Sequence, residues 1–467
     1  MKTKAVPSKW MMREGLRLDV GPYLSGALEG RVRLDELAAK KDRLADLTQG
    51  GSEGIYHAGR EGRRWVSDPE YGVPFLGSTD ILKADLSYLP LISKKQVTKN
   101  PKFTIRSSWT LITRSGTIGR MAYARPDMDG MACSEHVMRV VPNPDKVPAG
   151  YLYAYLSSKF GMPLVVSGTY GAIIQHIEPH HIADLPVPRL GDALEHEVHE
   201  LMEESARLLT AYQRGIEEGT KLLFESVGLT DITRADWHNQ GPDVGFVEQF
   251  PTIDSLRAVN FSPRFKRICS RIKAGPYKTL DEICVPGTIK RGGRFKRVEA
   301  APDFALRLLG QKQLFWLKPV GRWIAKSAVG DDVTVKDGTI LVAARGTLGE
   351  NELYCRSEFI TGYALEHAYS EDILRLVADV GVMPRGCLFA FIRSGMGFRM
   401  LRSISVGTKI QDHHYQLLPQ LPIPFPPRET QQQIGVAIVE AYENRHGGVA
   451  AERKAVSLLE SAIEEAT

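Results

Sequence analysis

The feature that most constrains this chain is an internal duplication. Gly150-Tyr151-Leu152-Tyr153-Ala154-Tyr155-Leu156 is matched, half a chain later, by Gly386-Cys387-Leu388-Phe389-Ala390-Phe391-Ile392. The same offset lays Ile174-Gln175 on Ile410-Gln411 and Leu185-Pro186-Val187-Pro188 on Leu421-Pro422-Ile423-Pro424, without a gap. Residues 150–188 and 386–424 are therefore two copies of one pattern, and a repeated pattern decides the architecture before any local reading does. The chain has 467 residues, so each half, at roughly 230 residues, is long enough to bury a core of its own. Two similar but non-identical modules suit a molecule that reads two different targets at once.

The halves run through the same series. Each opens with a short leucine-arginine segment, Leu16-Arg17-Leu18-Asp19 or Leu256-Arg257-Ala258-Val259-Asn260. Arg63-Arg64-Trp65-Val66 then leads into the β-type run Val73-Pro74-Phe75-Leu76-Gly77, as Lys296-Arg297-Val298-Glu299 leads into Leu306-Arg307-Leu308-Leu309-Gly310. Next come apolar strands that end in tight turns, Leu111-Ile112-Thr113-Arg114-Ser115-Gly116-Thr117-Ile118-Gly119 and Leu341-Val342-Ala343-Ala344-Arg345-Gly346-Thr347-Leu348-Gly349. β-branched runs bounded by glycine are strand-and-turn signals. The aromatic stretches read as helix, and each module closes in Leu-Pro-x-Pro.

After each closing motif the character changes. Residues 192–226 and 429–466 are nearly free of proline, and Leu194, Val198, Leu201, Leu208, Tyr212, Ile216 and Leu223 recur at helical spacing. Ile434, Ile438, Tyr442, Val449, Val456, Leu459 and Ile463 do the same. An apolar stripe of this kind predicts a helix of roughly 35 residues, or about 50 Å, in each half. Gly215, Gly219, Gly447 and Gly448 should weaken these helices locally, each by about 1 kcal/mol against alanine. Helices of this length usually pair, and the simplest arrangement is an antiparallel coiled coil with one module at each end, related by a pseudo-twofold.

Net charge is only +5, but the charges are segregated. Residues 86–126 contain no Asp or Glu and carry Lys94, Lys95, Lys99, Lys102, Arg106, Arg114, Arg120 and Arg125. Residues 304–330 also lack acids and carry Arg307, Lys312, Lys318, Arg322 and Lys326, close behind Lys290-Arg291-Gly292-Gly293-Arg294-Phe295-Lys296-Arg297. Acids concentrate on the helical segments. Solvated faces account for some charge runs, but two runs in matching places suit two polyanion-binding modules. The five cysteines form no C-x-x-C pair, which points to a reducing cytoplasm and away from a zinc site. No apolar run is long enough to span a membrane, and no secretory leader is expected at the N-terminus.

No motif carries catalysis. The chain has no phosphate-binding G-x-x-x-x-G-K-[ST], no G-x-S-x-G elbow and no Asn-Pro-Pro-aromatic signature. His176, His180 and His181 with Glu178 suggest a metal cluster, but the second copy has Asp412 and Gln416 in place of His176 and His180, so these read as structural residues. The Gly-Thr-Ile-Gly and Gly-Thr-Leu-Gly turns suit a hairpin that needs glycine at positive φ. They also suit a backbone that approaches phosphate closely, with Arg114 or Arg345 alongside. Gln175 and Gln411 have the chemistry to pair with adenine N6 and N7, as Arg or Lys pairs with guanine.

Taken together, the order, duplication and half-chain offset of residues 111–119 with 150–188, and of 341–349 with 386–424, resemble the specificity (S) subunit of type I restriction–modification systems, the HsdS family. The likeness covers essentially the whole chain. It implies an α+β fold with two similar target-recognition domains joined by two long antiparallel helices: residues 1–188, a conserved helical region at 189–228, a second domain with its leading linker at 229–426, and a second helical region at 427–467. It implies a non-catalytic cytoplasmic subunit that binds double-stranded DNA, each domain taking one half of a bipartite target. The helices would dock two modification (methyltransferase) subunits, joined by restriction (motor and nuclease) subunits. S-adenosylmethionine, and ATP with Mg, are expected on those partners, with no cofactor or metal here. The expected DNA contacts in the first half are Arg63, Arg64, Lys94, Lys95, Arg114, Thr117, Arg120, Tyr170 and Gln175. In the second they are Lys290, Arg291, Arg294, Lys296, Arg297, Arg345, Thr347, Lys409 and Gln411. One alternative is the specificity subunit of a type IIB-like enzyme, and another is a protein- or RNA-binding scaffold. The match at residues 16–19 is closer than that at 256–260.

Overall fold

The structure is a computed structural model that describes residues 5–13, 21–24, 26–167, 176–241, 243–247 and 255–466. Residues 16–19, Tyr170, Ile174 and Gln175 therefore lie outside the described part. The chain forms two compact units, residues 1–210 with 447–467 and residues 211–446. The boundary falls inside both long helices, so the units do not follow the linear order of the sequence.

In the first unit a four-stranded antiparallel sheet runs in the order Ile55–Tyr56, Val137–Val140, Thr110–Thr113, Met121–Tyr123. In the second, Lys290–Arg291, Ile373–Leu376, Thr339–Ala343 and Ser357–Ile360 repeat that order and those directions. The two central strands are buried at every residue, which is why each reads as a continuous apolar run rather than an alternating one. A second sheet also recurs. Gly72–Leu76 pairs antiparallel with Leu91–Ser93 and parallel with Ala132–Cys133. Ala305–Leu309 pairs antiparallel with Arg322–Ala325 and parallel with His367–Tyr369.

The Leu-Pro-x-Pro segments, read only as module ends in the sequence, are strands. Pro186–Pro188 pairs with Lys41–Arg43, and Pro422–Pro424 with Tyr277–Thr279. Both ribbons have two strands, so the amides that proline lacks fall where no ladder bond is required.

The aromatic helices, Ala149–Ser157 and Arg385–Ile392, are buried from Gly150 to Leu156 and from Gly386 to Ile392. A helix apolar on every side belongs inside a core. In the first unit the Tyr151 and Tyr155 hydroxyls donate to the Pro188 and Pro186 carbonyls, which pins the helix to the closing strand. The leading glycine is repeated for a steric reason. A Cβ on Gly150 would lie 2.7 Å from Met202 Cβ, and one on Gly386 would lie 2.8 Å from the Gly435 carbonyl oxygen. In both units this residue lets the aromatic helix sit directly on a long helix.

The long helices are Asp192–Ser226 and Arg428–Glu465, within a residue of the expected bounds. The four glycines do not interrupt them. In the second unit a Cβ on Gly215 would meet Ala441 Cβ at 2.8 Å, and one on Gly219 would meet Ile438 at 3.0 Å. In the first, a Cβ on Gly448 would meet Leu209 at 2.8 Å. The cost expected from propensity is offset because glycine allows close helix approach. Within the second unit Tyr212 faces Tyr442, their rings 5.2 Å apart; with Gly215 against Ala441 and Gly219 against Ile438, sequence number rises along one helix as it falls along the other. Among the described residues no helix is long and apolar enough to cross a membrane.

Candidate nucleic-acid interface

In the second unit the fold gathers three separated segments at one end of the central strand. The strand Thr339–Ala343 leads into the turn at 344–349, and Gly346 bridges Gln411 by a main-chain pair, Gln411 N donating to Gly346 O at 2.8 Å. That bridge brings the 406–413 segment beside the turn. Arg291 joins it through Asp412 at 3.0 Å. Arg345 lies 3.5 Å from Asp372 and 3.8 Å from Asp412. Arg297 binds Glu371 at 2.9 Å. Burial works against the charge on Glu371, but its backbone amide, Arg297 and then Arg294 outweigh it and hold the carboxyl below its usual range. Lys290, Arg294, Lys296, Thr347 and Lys409 are exposed. Of the expected contacts of the second half, Arg291, Arg297 and Arg345 are thus linked to the neighbouring carboxylates Asp412, Glu371 and Asp372, but Gln411 is not available. Gln411 is 4 % exposed and its amide nitrogen donates to the Thr408 carbonyl, so it closes the turn and presents no edge to a base.

The first unit is built on the same plan with different side chains. Arg63 donates to both oxygens of Glu135, at 3.0 and 3.1 Å, and stacks on Phe75. Burial opposes the charge on Glu135, but the Arg63 hydrogen bonds win and lower its pKa. Ser115 Oγ lies 2.7 Å from His136 Nδ1. Arg64 is exposed, its amide held by Gln96 on the short helix Lys94–Lys99, where Lys94 and Lys95 also face solvent.

Arg114 departs from expectation. It is 8 % exposed, and its guanidinium donates to the Ile177 carbonyl at 2.9 Å, to the Glu135 carbonyl at 3.2 Å and to the Glu178 carboxylate. Such a side chain is a brace, because freeing it would leave buried carbonyls unpaired. Beside it His57 lies 3.4 Å from Glu178; burial, then the Arg114 charge, push its pKa down. Thr117 and Arg120 are half-buried, and the Thr117 carbonyl accepts from Thr113 Oγ1.

The acid-free stretches also look different once folded. Arg106 pairs with Asp129 at 3.1 Å, and Arg125, 3 % exposed, with Asp127 at 2.7 Å. In the second unit Arg307 stacks on Trp323 at 4.7 Å and donates to the Pro319 carbonyl. Acids just outside the first stretch thus neutralise part of it, whereas in the second Arg307 is held by an aromatic ring and a main-chain carbonyl. The paired turns differ as well: Gly116 and Gly119 have φ of 76° and 78°, whereas Gly346 and Gly349 have no positive φ. The hairpin argument for glycine holds in the first turn alone.

Sequence reasoning missed Glu135, His136, Glu371 and Asp372. The signal was present, since Ser134-Glu135 and Ser370-Glu371 stand at the same offset as the other repeats. Among the described residues no group of three His, Cys, Asp or Glu side chains is placed to hold a metal. His181 instead accepts from the Glu178 amide at 3.1 Å and caps a helical turn.

No protein-family model and no curated protein matches the chain. Similar solved structures include the type I restriction–modification S subunit from M. genitalium, with 11% identity, TM-score 0.35 and 92% of this chain and 96% of that one covered. They also include the HsdS subunit from Thermoanaerobacter tengcongensis, with 14% identity, TM-score 0.26 and coverage of 91% and 96%. A third, from work on assembly and conformational transition of the type I R-M system, has 14% identity, TM-score 0.26 and coverage of 91% and 97%.

Proposed function

We propose that this chain is the DNA-recognition subunit of a restriction–modification complex, in which each unit binds one half of a bipartite double-stranded target. The observation that carries the reading is the repeated sheet order whose central strand ends, in both units, in a turn flanked by cations but furnished with different side chains. One scaffold used twice with unlike tips suits two unlike half-sites. Exposed Lys94, Lys95, Lys290, Arg294, Lys296 and Lys409 would supply the salt-dependent phosphate term, which positions without specifying. A few base contacts per half-site, each worth about 1–3 kcal/mol, would supply discrimination.

In this reading the chain performs no catalysis and holds no cofactor. The two long helices form the antiparallel coiled coil of a pseudo-twofold molecule and set the spacing between half-sites. Their acidic faces, repelled by DNA, dock two methyltransferase subunits that bring S-adenosylmethionine, and restriction subunits that bring ATP and Mg act on that core in the cytoplasm. Footprinting of the chain with its methyltransferase partner tests this. Two short protected patches separated by a fixed gap are expected; one contiguous patch, or none, would sink the proposal.

A further inference from the structure

The two units share a framework, and one of the places where they differ lies directly beside it. In each, a Ser-Glu pair precedes the strand beside the central one, and an arginine bridges the glutamate, Arg63 at 3.0 Å and Arg297 at 2.9 Å. The residue after the glutamate differs, His136 in one unit and Asp372 in the other. Its carbonyl accepts the Arg114 amide at 2.9 Å or the Ala344 amide at 3.0 Å, so the two positions are equivalent in fold as well as in sequence. The residue before the repeated Gly-Thr also differs, Ser115 against Arg345, and in each unit it meets the first variable residue. Ser115 Oγ is 2.7 Å from His136 Nδ1, and Arg345 is 3.5 Å from Asp372.

Exposure separates the two glutamates from His136, Arg345 and Asp372, though not from Ser115, which is 8% exposed and acts through His136, and it does not set apart Arg297, whose side chain is 46% exposed. The glutamate side chains are 13% and 25% exposed. His136 is 44% exposed, Arg345 40% and Asp372 35%. We propose that this variable pair, Ser115 with His136 and Arg345 with Asp372, sets which base each unit accepts, and that Arg345 takes the two acceptors of a guanine. The inference rests on the DNA-recognition reading above and names the residues that specify within it.

The distances favour these roles. Contacts of 3.5 and 3.8 Å to Asp372 and Asp412 exceed hydrogen-bond length, so the Arg345 guanidinium surrenders little when it turns to guanine O6 and N7. The two carboxylates keep it from swinging to phosphate, which they repel. Arg114 has no such freedom. In the first unit Ser115 engages one ring nitrogen of His136, and Nε2 lies 3.3 Å from Glu135. An imidazole presents a single nitrogen where a guanidinium presents a two-pronged donor, so the units would accept different bases.

The test selects DNA from a randomised duplex pool with the full chain, alone and with co-purified partner subunits, and sequences the bound fraction. Wild type is expected to enrich a two-part motif. Arg345→Ala should lose about tenfold of the preference for guanine at one position of one half, with the other half unchanged, and Arg345→Lys should keep part of it. The double variant Ser115→Arg with His136→Asp should raise a guanine in the opposite half. The Arg345 side chain is 40% exposed, and an unchanged urea midpoint verifies that its alanine variant keeps the fold. A motif identical to wild type, or altered in both halves, overturns the variable pair while two-part recognition stands. If wild type enriches no two-part motif, the recognition reading itself falls, and the pair with it.

Discussion

Arg114 and Arg345 flank corresponding turns and do different work because of what surrounds them. Arg114 is enclosed by the carbonyls of Ile177 and Glu135 and by Glu178. Arg345 is 40% exposed, and its carboxylate neighbours stand off beyond hydrogen-bond reach. Removing the first leaves buried acceptors unpaired, while removing the second exposes nothing. Arg114→Ala should therefore destabilise the protein by about 2 kcal/mol, mostly through the two carbonyl bonds, since Glu178 is solvent-exposed enough for its ion pair to be screened. Urea denaturation measures this, together with the salt dependence of DNA binding, which should keep its slope. An unchanged midpoint with a reduced slope would return Arg114 to the phosphate-contacting set.

At the scale of elements, the repeated glycines are contact positions rather than hinges. Gly150 and Gly386 open the aromatic helices where a Cβ would press on Met202 or on the Gly435 carbonyl at under 3 Å. Overpacking against a helix backbone costs about 1–3 kcal/mol. Gly386→Ala and Gly150→Ala should both destabilise by this order, because the nearest atoms, the Gly435 carbonyl oxygen in one case and Met202 Cβ with His199 Cα in the other, are all fixed to a long-helix backbone. Thermal unfolding should show a lowered melting temperature for both variants. Equal melting temperatures to wild type would mean that the helices shift apart at no cost. Gly116 and Gly119, by contrast, answer to backbone conformation, with φ near 76° and 78°.

For the whole molecule, the consequential fact is where the compact units divide. The boundary falls at Thr210 and Ala211 in one long helix and at His446 and Gly447 in the other, so each helix contributes a segment to each unit. If the helices are a ruler, lengthening both at that boundary should change the gap and nothing else. Four residues add about 6 Å of helix, or about two base pairs. Four-residue insertions at both boundary points should lengthen the gap between footprints by about that amount and leave both half-sites as they were. Altered half-sites with an unchanged gap would count against the ruler.

The duplication, the bounds of the long helices, the buried central strands and the aromatic helices were all legible in the residues. Each depends on periodicity or on a continuous apolar run, and those are local properties that survive in one dimension. The strands formed by Leu-Pro-x-Pro were not legible, because their partners, Lys41–Arg43 and Tyr277–Thr279, lie more than a hundred residues away in sequence. The site was legible as a set of basic segments but not as a set of roles. Arg114, Arg125 and Gln411 look in sequence like Arg64, Arg345 and Lys409. Only the tertiary structure buries the first three against carbonyls and carboxylates and leaves the others facing solvent. A charge run counts charges along the chain, whereas the availability of a cation depends on which distant acids and main-chain oxygens the fold brings to it. The sequence by itself determined that one module was used twice; packing decided which side chains of each copy are left to meet a partner.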